Sequence, residues 1–71
     1  MVRLDEEILT FLREYTATHG YSPSIRDIQE GLSLGSIDTI HRRLRHLRAH
    51  DRVEWQPNRA RTLRVKQKTA D

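Results

Sequence analysis

The spacing of apolar residues changes once along this chain, and that change limits the folds open to it. Up to Leu47, apolar residues recur every three or four positions, which is the period of an amphipathic helix. Beyond Val53 they alternate with polar residues, which is the period of a strand. A chain of 71 residues has room for one domain with one core. The sequence therefore predicts a mainly α-helical domain that ends in a small β-hairpin.

Three amphipathic helices are expected before the hairpin. The first runs from about Leu4 to His19, and Gly20 suits the left-handed residue that follows a helix end. The second runs from Ile25 to about Leu32, with Ser24 as its N-cap. The third runs from Ser36 to Ala49. The core-facing stripe of the first helix is predicted to be Leu4, Ile8, Phe11, Leu12 and Tyr15.

The connections between these elements define a known arrangement. A short helix, a turn flanked by Gly31 and Gly35, and a new helix form the helix-turn-helix pattern. The hairpin has its turn at residues 56–59, where proline and asparagine suit a reversal of the chain. A helix-turn-helix followed by a basic hairpin is a winged helix-turn-helix. The domain is expected to span residues 1–65, with residues 66–71 as a flexible tail.

The third helix has two unlike faces. Ile40, Leu44 and Leu47 form one apolar stripe. The opposite face carries Asp38, Arg42, Arg45 and Ala49. Taken alone, such a helix is more often solvated than functional. Because a capped helix precedes it and a basic hairpin follows it, we expect this helix to enter the major groove of DNA.

Charge is distributed unevenly along the chain. Residues 1–31 carry three arginines and six carboxylates, a net charge of −3. Residues 32–71 carry ten basic and four acidic side chains, a net charge of +6. A basic half favours an anionic partner through steering and counterion release.

Composition disfavours several other functions. The chain has no cysteine, and His46 and His50 lack enough neighbouring ligands, so no metal or other cofactor is expected. No histidine–carboxylate pair lies beside a nucleophile, so no catalytic residue is assigned and the chain is not expected to be an enzyme. No apolar run approaches the roughly 18 residues of a membrane span, and the expected location is the cytoplasm. So small a chain lacks room for an enclosed pocket, so no small-molecule ligand is expected.

Several runs of residues together resemble one family. They are Ile8-Leu9, Phe11-Leu12-Arg13, the run HGYSPSIRDI from His19 to Ile28, Ser36, the run TIHRRL from Thr39 to Leu44, Leu47, Pro57-Asn58-Arg59, Arg61 and Val65. They resemble the amino-terminal DNA-binding domain of LexA repressors, the bacterial regulators of the DNA-damage response. The resemblance extends over nearly the whole chain and is more specific than a generic helix-turn-helix match.

This resemblance implies a repressor domain that binds double-stranded DNA at an inverted-repeat operator. It also implies that two domains bind each site, so that the chain forms a homodimer on palindromic DNA. The implied location is the bacterial nucleoid. The bases would be read by Ser36, Asp38, Thr39, His41 and Arg42. The wing would contact the DNA backbone through Asn58, Arg59 and Arg61. Ser24 and Arg45 are also assigned to the backbone.

The chemistry of the base-reading residues is consistent with these roles. The Arg42 guanidinium matches the two major-groove acceptors of guanine. Asp38 could accept from a cytosine amino group, orient Arg42, or simply complement the helix dipole. Thr39 could touch a thymine methyl group or bond a phosphate. His41 could contact phosphate or base, or pack at the helix edge.

The chain also departs from the family pattern. LexA repressors carry a second domain with a serine–lysine dyad that cleaves the chain, whereas this chain ends at Asp71, so self-cleavage is not expected. Ser33 stands in a turn where the family usually has glycine. Asp51 stands after the third helix where glycine is also usual, and aspartate tolerates the left-handed conformation less well. A looser corner is expected there.

Two alternatives to DNA-based repression remain open. Winged helices also dock on proteins, so the basic face could meet an acidic protein surface. A lone DNA-binding domain could also antagonise a full-length repressor by competing for its sites or partners.

Overall fold

The computed structural model describes residues 3–66. Three helices are followed by two short antiparallel strands, in the order predicted for a winged helix-turn-helix. The elements are α1 (Arg3–His19), α2 (Ile25–Gly31), α3 (Ile37–Ala49), β1 (Val53–Glu54) and β2 (Arg64–Val65). The predicted fold class is confirmed.

The core lies where the three helices meet the hairpin. Its buried apolar residues are Ile8, Leu9, Leu12, Ile28, Ile40, Leu44, Leu47, Val53 and Leu63. Leu9 was absent from the predicted stripe, yet it is as buried as Ile8, because α1 is covered by α2, by α3 and by β2. Tyr15, which was in the stripe, is only half-buried. One face of α1 was therefore predicted too narrowly.

The predicted helix boundaries follow from capping groups. The Ser24 hydroxyl accepts from the Asp27 amide at 3.1 Å, and the Asp27 carboxylate accepts from the Ser24 amide at 3.0 Å, which is a complete capping box. Ser36 caps α3 through the Thr39 amide, at 3.4 Å. Gly20 after α1 has a φ of +79°, the left-handed conformation expected of it.

Two non-glycine residues take the left-handed conformation on either side of α3. Ser33 has a φ of +55°, and the Leu34 amide behind it reaches back to the Gln29 carbonyl at 2.9 Å. Asp51 has a φ of +62°, and the Arg52 amide donates to the Leu47 carbonyl at 2.9 Å. Both are Schellman ends, a motif that favours glycine at the left-handed position.

A buried ion pair joins α1 to α3. Asp5 is fully buried, and both its carboxylate oxygens accept from Arg43, at 2.7 Å from Nε and 2.9 Å from Nη2. These hydrogen bonds raise the pKa of the Arg43 guanidinium above its usual value. Asp5 lies in the first turn of α1, where negative charge complements the helix dipole. Its burial gives it a second role, because its pair with Arg43 joins the first turn of α1 to the middle of α3.

The hairpin is shorter than its alternating sequence indicated. Val53 pairs with Val65 and Glu54 with Arg64, and the ladder ends there. Beyond it, the Gln56 amide donates to the Thr62 side-chain hydroxyl, at 2.9 Å, in place of a backbone partner. The loop between the strands, residues 55–63, forms the wing.

The carboxyl end of the fold includes a residue that was assigned to the tail. The Lys66 amide donates to the Arg52 carbonyl at 2.9 Å, and its ammonium group pairs with Asp51. The rest of the expected tail, residues 67–71, lies outside the described residues.

Arg43→Met should destabilise the domain because it deprives a fully buried carboxylate of its bidentate partner. We expect the melting temperature to fall by on the order of 10 °C. Arg45→Met, an exposed position on the same helix, is the control and should change it little. Thermal unfolding followed by circular dichroism measures both, and equal losses would contradict the role given to the ion pair.

Ser33→Gly should stabilise the domain by about 0.5–1 kcal/mol, because glycine adopts the left-handed conformation without steric cost. Two glycines nearby provide contrasting controls. A Cβ at Gly31 would overlap the Phe11 ring, so Gly31→Ala should destabilise. A Cβ at Gly35 meets nothing within 4 Å, so Gly35→Ala should be close to neutral. Denaturant titration of the three variants would reveal whether this order holds.

Candidate nucleic-acid interface

The exposed face of α3 is the one that the helical period predicted. Asp38, His41, Arg42 and Arg45 are exposed, while Ile40, Leu44 and Leu47 are buried beneath them. Ser36 is exposed at the start of the helix, and Thr39 is half-buried at its edge. The five residues assigned to base readout therefore lie at or near the amino-terminal half of one accessible helix.

Arg42 and Asp38 form an ion pair across one turn of α3. The Arg42 Nη2 atom lies 3.1 Å from the Asp38 Oδ2 atom, with both side chains largely exposed, at 69% and 76%. At this exposure the pair contributes little to stability. The contact places the guanidinium beside the first turn of the helix, which is the geometry that an orienting role for Asp38 requires, and that role stays a prediction.

A groove runs between α3 and the wing. It has a volume of about 620 Å³ and is open to solvent. Its basic lining consists of His41, Arg45, Arg48, Arg59 and Arg61, with Ser24 at its edge. The structure thus brings five of the ten predicted site residues to one surface, Ser24, His41, Arg45, Arg59 and Arg61.

Trp55 sits in this groove and was not assigned a role from sequence. The Arg48 guanidinium lies 4.2 Å from the centre of the Trp55 ring, a cation–π contact that joins α3 to the wing. The Arg48 guanidinium is therefore held by packing on the Trp55 ring, and the ring covers part of its charged surface.

Arg61 reaches from the wing to α2. Its Nη1 atom donates to Asp27 Oδ2 at 3.0 Å and to the Ser22 carbonyl at 3.2 Å. Its guanidinium also lies over the Tyr21 ring, 5.1 Å from the centroid. Sequence reasoning assigned Arg61 to the DNA backbone and did not foresee these contacts, because 34 residues separate it from Asp27.

The contacts of Asp27 with Ser24, Tyr15 and Arg61 hold its pKa well below the usual value. The Ser24 amide lowers its pKa most, burial opposes that effect, and hydrogen bonds from Tyr15 and Arg61 lower it further, to about 2. Asp27 is therefore ionised at neutral pH. The same environment raises the pKa of the Tyr15 hydroxyl, mainly through desolvation.

The other wing residues assigned to DNA are exposed. Asn58 has a φ of +64° in the turn, in agreement with the tolerance that favoured asparagine there. Arg59 is exposed beside it, and its amide donates to the Gln56 carbonyl at 3.3 Å. Their contact with DNA stays a prediction, as does that of Ser24.

Two histidines weighed as metal ligands have other contacts. The His46 Nε2 atom lies 3.8 Å from Asp5 Oδ2, and its ring centre lies 4.4 Å from that of His50. Within residues 3–66, no three potential ligands come together. In the same part of the chain, no helix is both long and apolar enough to cross a bilayer.

A helix-turn-helix with a basic, accessible third helix beside a wing defines a class of DNA-binding domain. The sequence model of the LexA DNA-binding domain matches residues 2–62. The chain belongs to this family.

Similar proteins include three bacterial LexA repressors. The chain is 37% identical over 65 residues to that of Koribacter versatilis, with 92% of this chain and 31% of the relative covered. It is 36% identical over 63 residues to that of a Roseiflexus species, with coverages of 89% and 29%. It is 31% identical over 61 residues to that of Carboxydothermus hydrogenoformans, with coverages of 86% and 30%. The chain spans just under a third of the length of these curated relatives.

Asp27→Asn should remove part of the domain's sensitivity to acid. Because the folded-state pKa of Asp27 is depressed to about 2 from a usual 3.8, its ionised form stabilises the fold above pH 3.8. That contribution is lost as the pH falls toward 2. The difference in unfolding free energy between the wild type and Asp27→Asn should therefore shrink between pH 3.8 and pH 2. Denaturant titration across this range measures it, and a constant difference would contradict the assignment.

Proposed function

We propose that this chain binds double-stranded DNA sequence-specifically and represses transcription by occupying an inverted-repeat operator. The observation that carries the proposal is the accessible basic face of α3, with a wing beside it that continues the basic surface. Membership of the LexA DNA-binding domain family supports it. The similar proteins are themselves named repressors.

In this proposal α3 lies in the major groove with its first two turns against the bases. Arg42 donates to the two acceptors of a guanine, and Asp38 holds it in place or accepts from a cytosine amino group on the facing strand. Thr39 and His41 contact neighbouring bases or phosphates, and Ser36 approaches the DNA at the helix start. In this proposal the amino-terminal half of α3 makes the contacts that distinguish one DNA sequence from another.

The wing and the second half of α3 contact the sugar–phosphate backbone. Arg45 and Arg59 line the groove between the two elements, with Asn58 at the tip of the wing. Contacts of this kind fix the register of the protein on the duplex and carry no sequence information themselves. Two copies bound to the halves of a palindrome would form the repressing complex.

Sequence preference should be measurable with the chain itself. Selection from a random pool of duplexes should enrich a palindromic site, and its affinity should exceed that of a scrambled duplex by about 10³ at fixed salt once both halves are filled. Equal affinity for the two duplexes would refute sequence-specific binding. A DNA titration that leaves the α3 amide signals unmoved would instead favour a protein-interaction module.

Arg42→Ala and Arg59→Ala should have different effects on this preference. Arg42→Ala should cost about 1–3 kcal/mol at the selected site and relax the preference for guanine. Arg59→Ala should weaken binding to the selected and scrambled duplexes alike. It should also reduce the slope of log K against log salt concentration by about one. Fluorescence anisotropy at several salt concentrations separates the two. If Arg42→Ala kept full discrimination, the base contact would be assigned to the wrong residue.

A further inference from the structure

We propose that Asp27 is a positioning residue for DNA binding: through Arg61 it fixes the wing against the helix-turn-helix. This inference rests on the proposed function and adds a residue that makes no DNA contact of its own. It also gives Arg61 a role beyond the phosphate contact expected of it, as the link between the wing and α2.

The wing needs such a link because its strands are too short to hold it. Each strand has two residues, and the loop between them has nine, residues 55–63. An isolated two-stranded hairpin is marginal in water, and one with two residue pairs is weaker still. Leu63 is buried and anchors one end of the loop in the core, and Trp55 anchors the other end through its contact with Arg48. The tip, which carries Asn58 and Arg59, requires a further attachment to be held at a fixed distance from α3.

One carboxylate oxygen supplies that attachment. Asp27 Oδ2 accepts from the Tyr15 hydroxyl at 3.1 Å, from the Ser24 amide at 3.0 Å and from Arg61 Nη1 at 3.0 Å. The first donor belongs to α1, the second precedes α2 and the third belongs to the wing. Three separate parts of the fold thus converge on a single atom. The Ser22 carbonyl, which accepts from the same Arg61 nitrogen, ties the wing to the loop before α2 as well.

These hydrogen bonds hold Arg61 but leave some of its N–H donors available. Its hydrogen bonds to Asp27 and Ser22 both leave from Nη1, and 44% of its side chain stays exposed. A guanidinium has five N–H donors, so one bound to a carboxylate on one edge can still meet a phosphate on another. Asp27 therefore orients Arg61 toward the DNA side of the wing and does not withdraw it from the interface.

The alternative is that Asp27 competes with DNA for Arg61, and the two roles predict opposite signs. Loss of a competing carboxylate would strengthen DNA binding. Loss of a positioning carboxylate weakens it, even though removing a negative charge near DNA favours association in general. Glu30→Gln is the matched control for that general effect. It removes the same charge from the same helix, at an exposed side chain that forms no ion pair within residues 3–66.

The test is the affinity of the chain for its selected duplex, measured by anisotropy at several salt concentrations. Asp27→Asn should bind about tenfold more weakly than Glu30→Gln and show a smaller salt dependence, because the Arg59 phosphate contact is lost with the wing position. Affinity equal to or above that of Glu30→Gln would overturn the proposal.

A second variant separates positioning from folding. Arg61→Gln leaves the capping box of α2 intact and should weaken binding at least as much as Asp27→Asn, because it removes the link together with a positive charge. The double variant should lose little more, since both changes remove the same link. Additive losses would mean that the two residues act independently, and the proposal would fail.

The outcome is distinguishable from a failure of the proposed function. If the wild type and Glu30→Gln discriminate between selected and scrambled duplexes while Asp27→Asn binds like Glu30→Gln, only the role of Asp27 is refuted. If the wild type does not discriminate at all, sequence-specific binding is refuted and this inference is refuted with it.

Discussion

The pairing of Asp5 with Arg43 is the interaction on which the rest of this structure depends. A carboxylate with no solvent exposure is costly to desolvate, and it is tolerated because a bidentate guanidinium meets both of its oxygens. The pair joins the start of α1 to the middle of α3. Apolar packing between two helices allows small changes of angle and register, whereas two short directional hydrogen bonds do not. The Asp5–Arg43 pair therefore limits how far α3 can rotate, and so helps to determine which of its side chains face solvent.

Asp27 does for the wing what Asp5 does for α3. Each is a carboxylate near the start of a helix, where the helix dipole already favours negative charge, and each has acquired an arginine from a distant part of the chain. A domain of this size has a small core, and directional contacts at two helix starts supplement it. The basic half of the chain is thereby divided between arginines that hold the fold and arginines that remain on the surface.

Much of the fold could be predicted because its signals are local. The N-caps at Ser24 and Ser36, the glycine after α1 and the change of apolar period each lie within a few residues of the element they define. Leu9 was missed because period alone does not show how many neighbours a helix has. The ion pairs of Asp5 and Asp27 were missed because their partners lie 38 and 34 residues away, and no local pattern distinguishes one arginine from another. Ser33 could be identified as standing where the family usually has glycine, but the sequence alone did not show that this residue takes the left-handed conformation. For the candidate site, sequence predicted the exposed face of α3 correctly, but could not tell that Arg48 stacks on Trp55 and that Arg61 is held by Asp27.

If α3 reads bases as proposed, the exposed carboxylate of Asp38 also affects binding to the wrong DNA. It lies one turn before Arg42 on the exposed side of α3, and repels a phosphate that approaches this part of the helix. In a complex where a hydrogen-bond donor faces it, the repulsion is offset. In a misaligned complex no base donates to it, and the carboxylate loses water with only its Arg42 partner to compensate. Asp38 would then contribute to recognition chiefly through the complexes it prevents, so that selectivity and affinity are carried by charges of opposite sign on the same helix face.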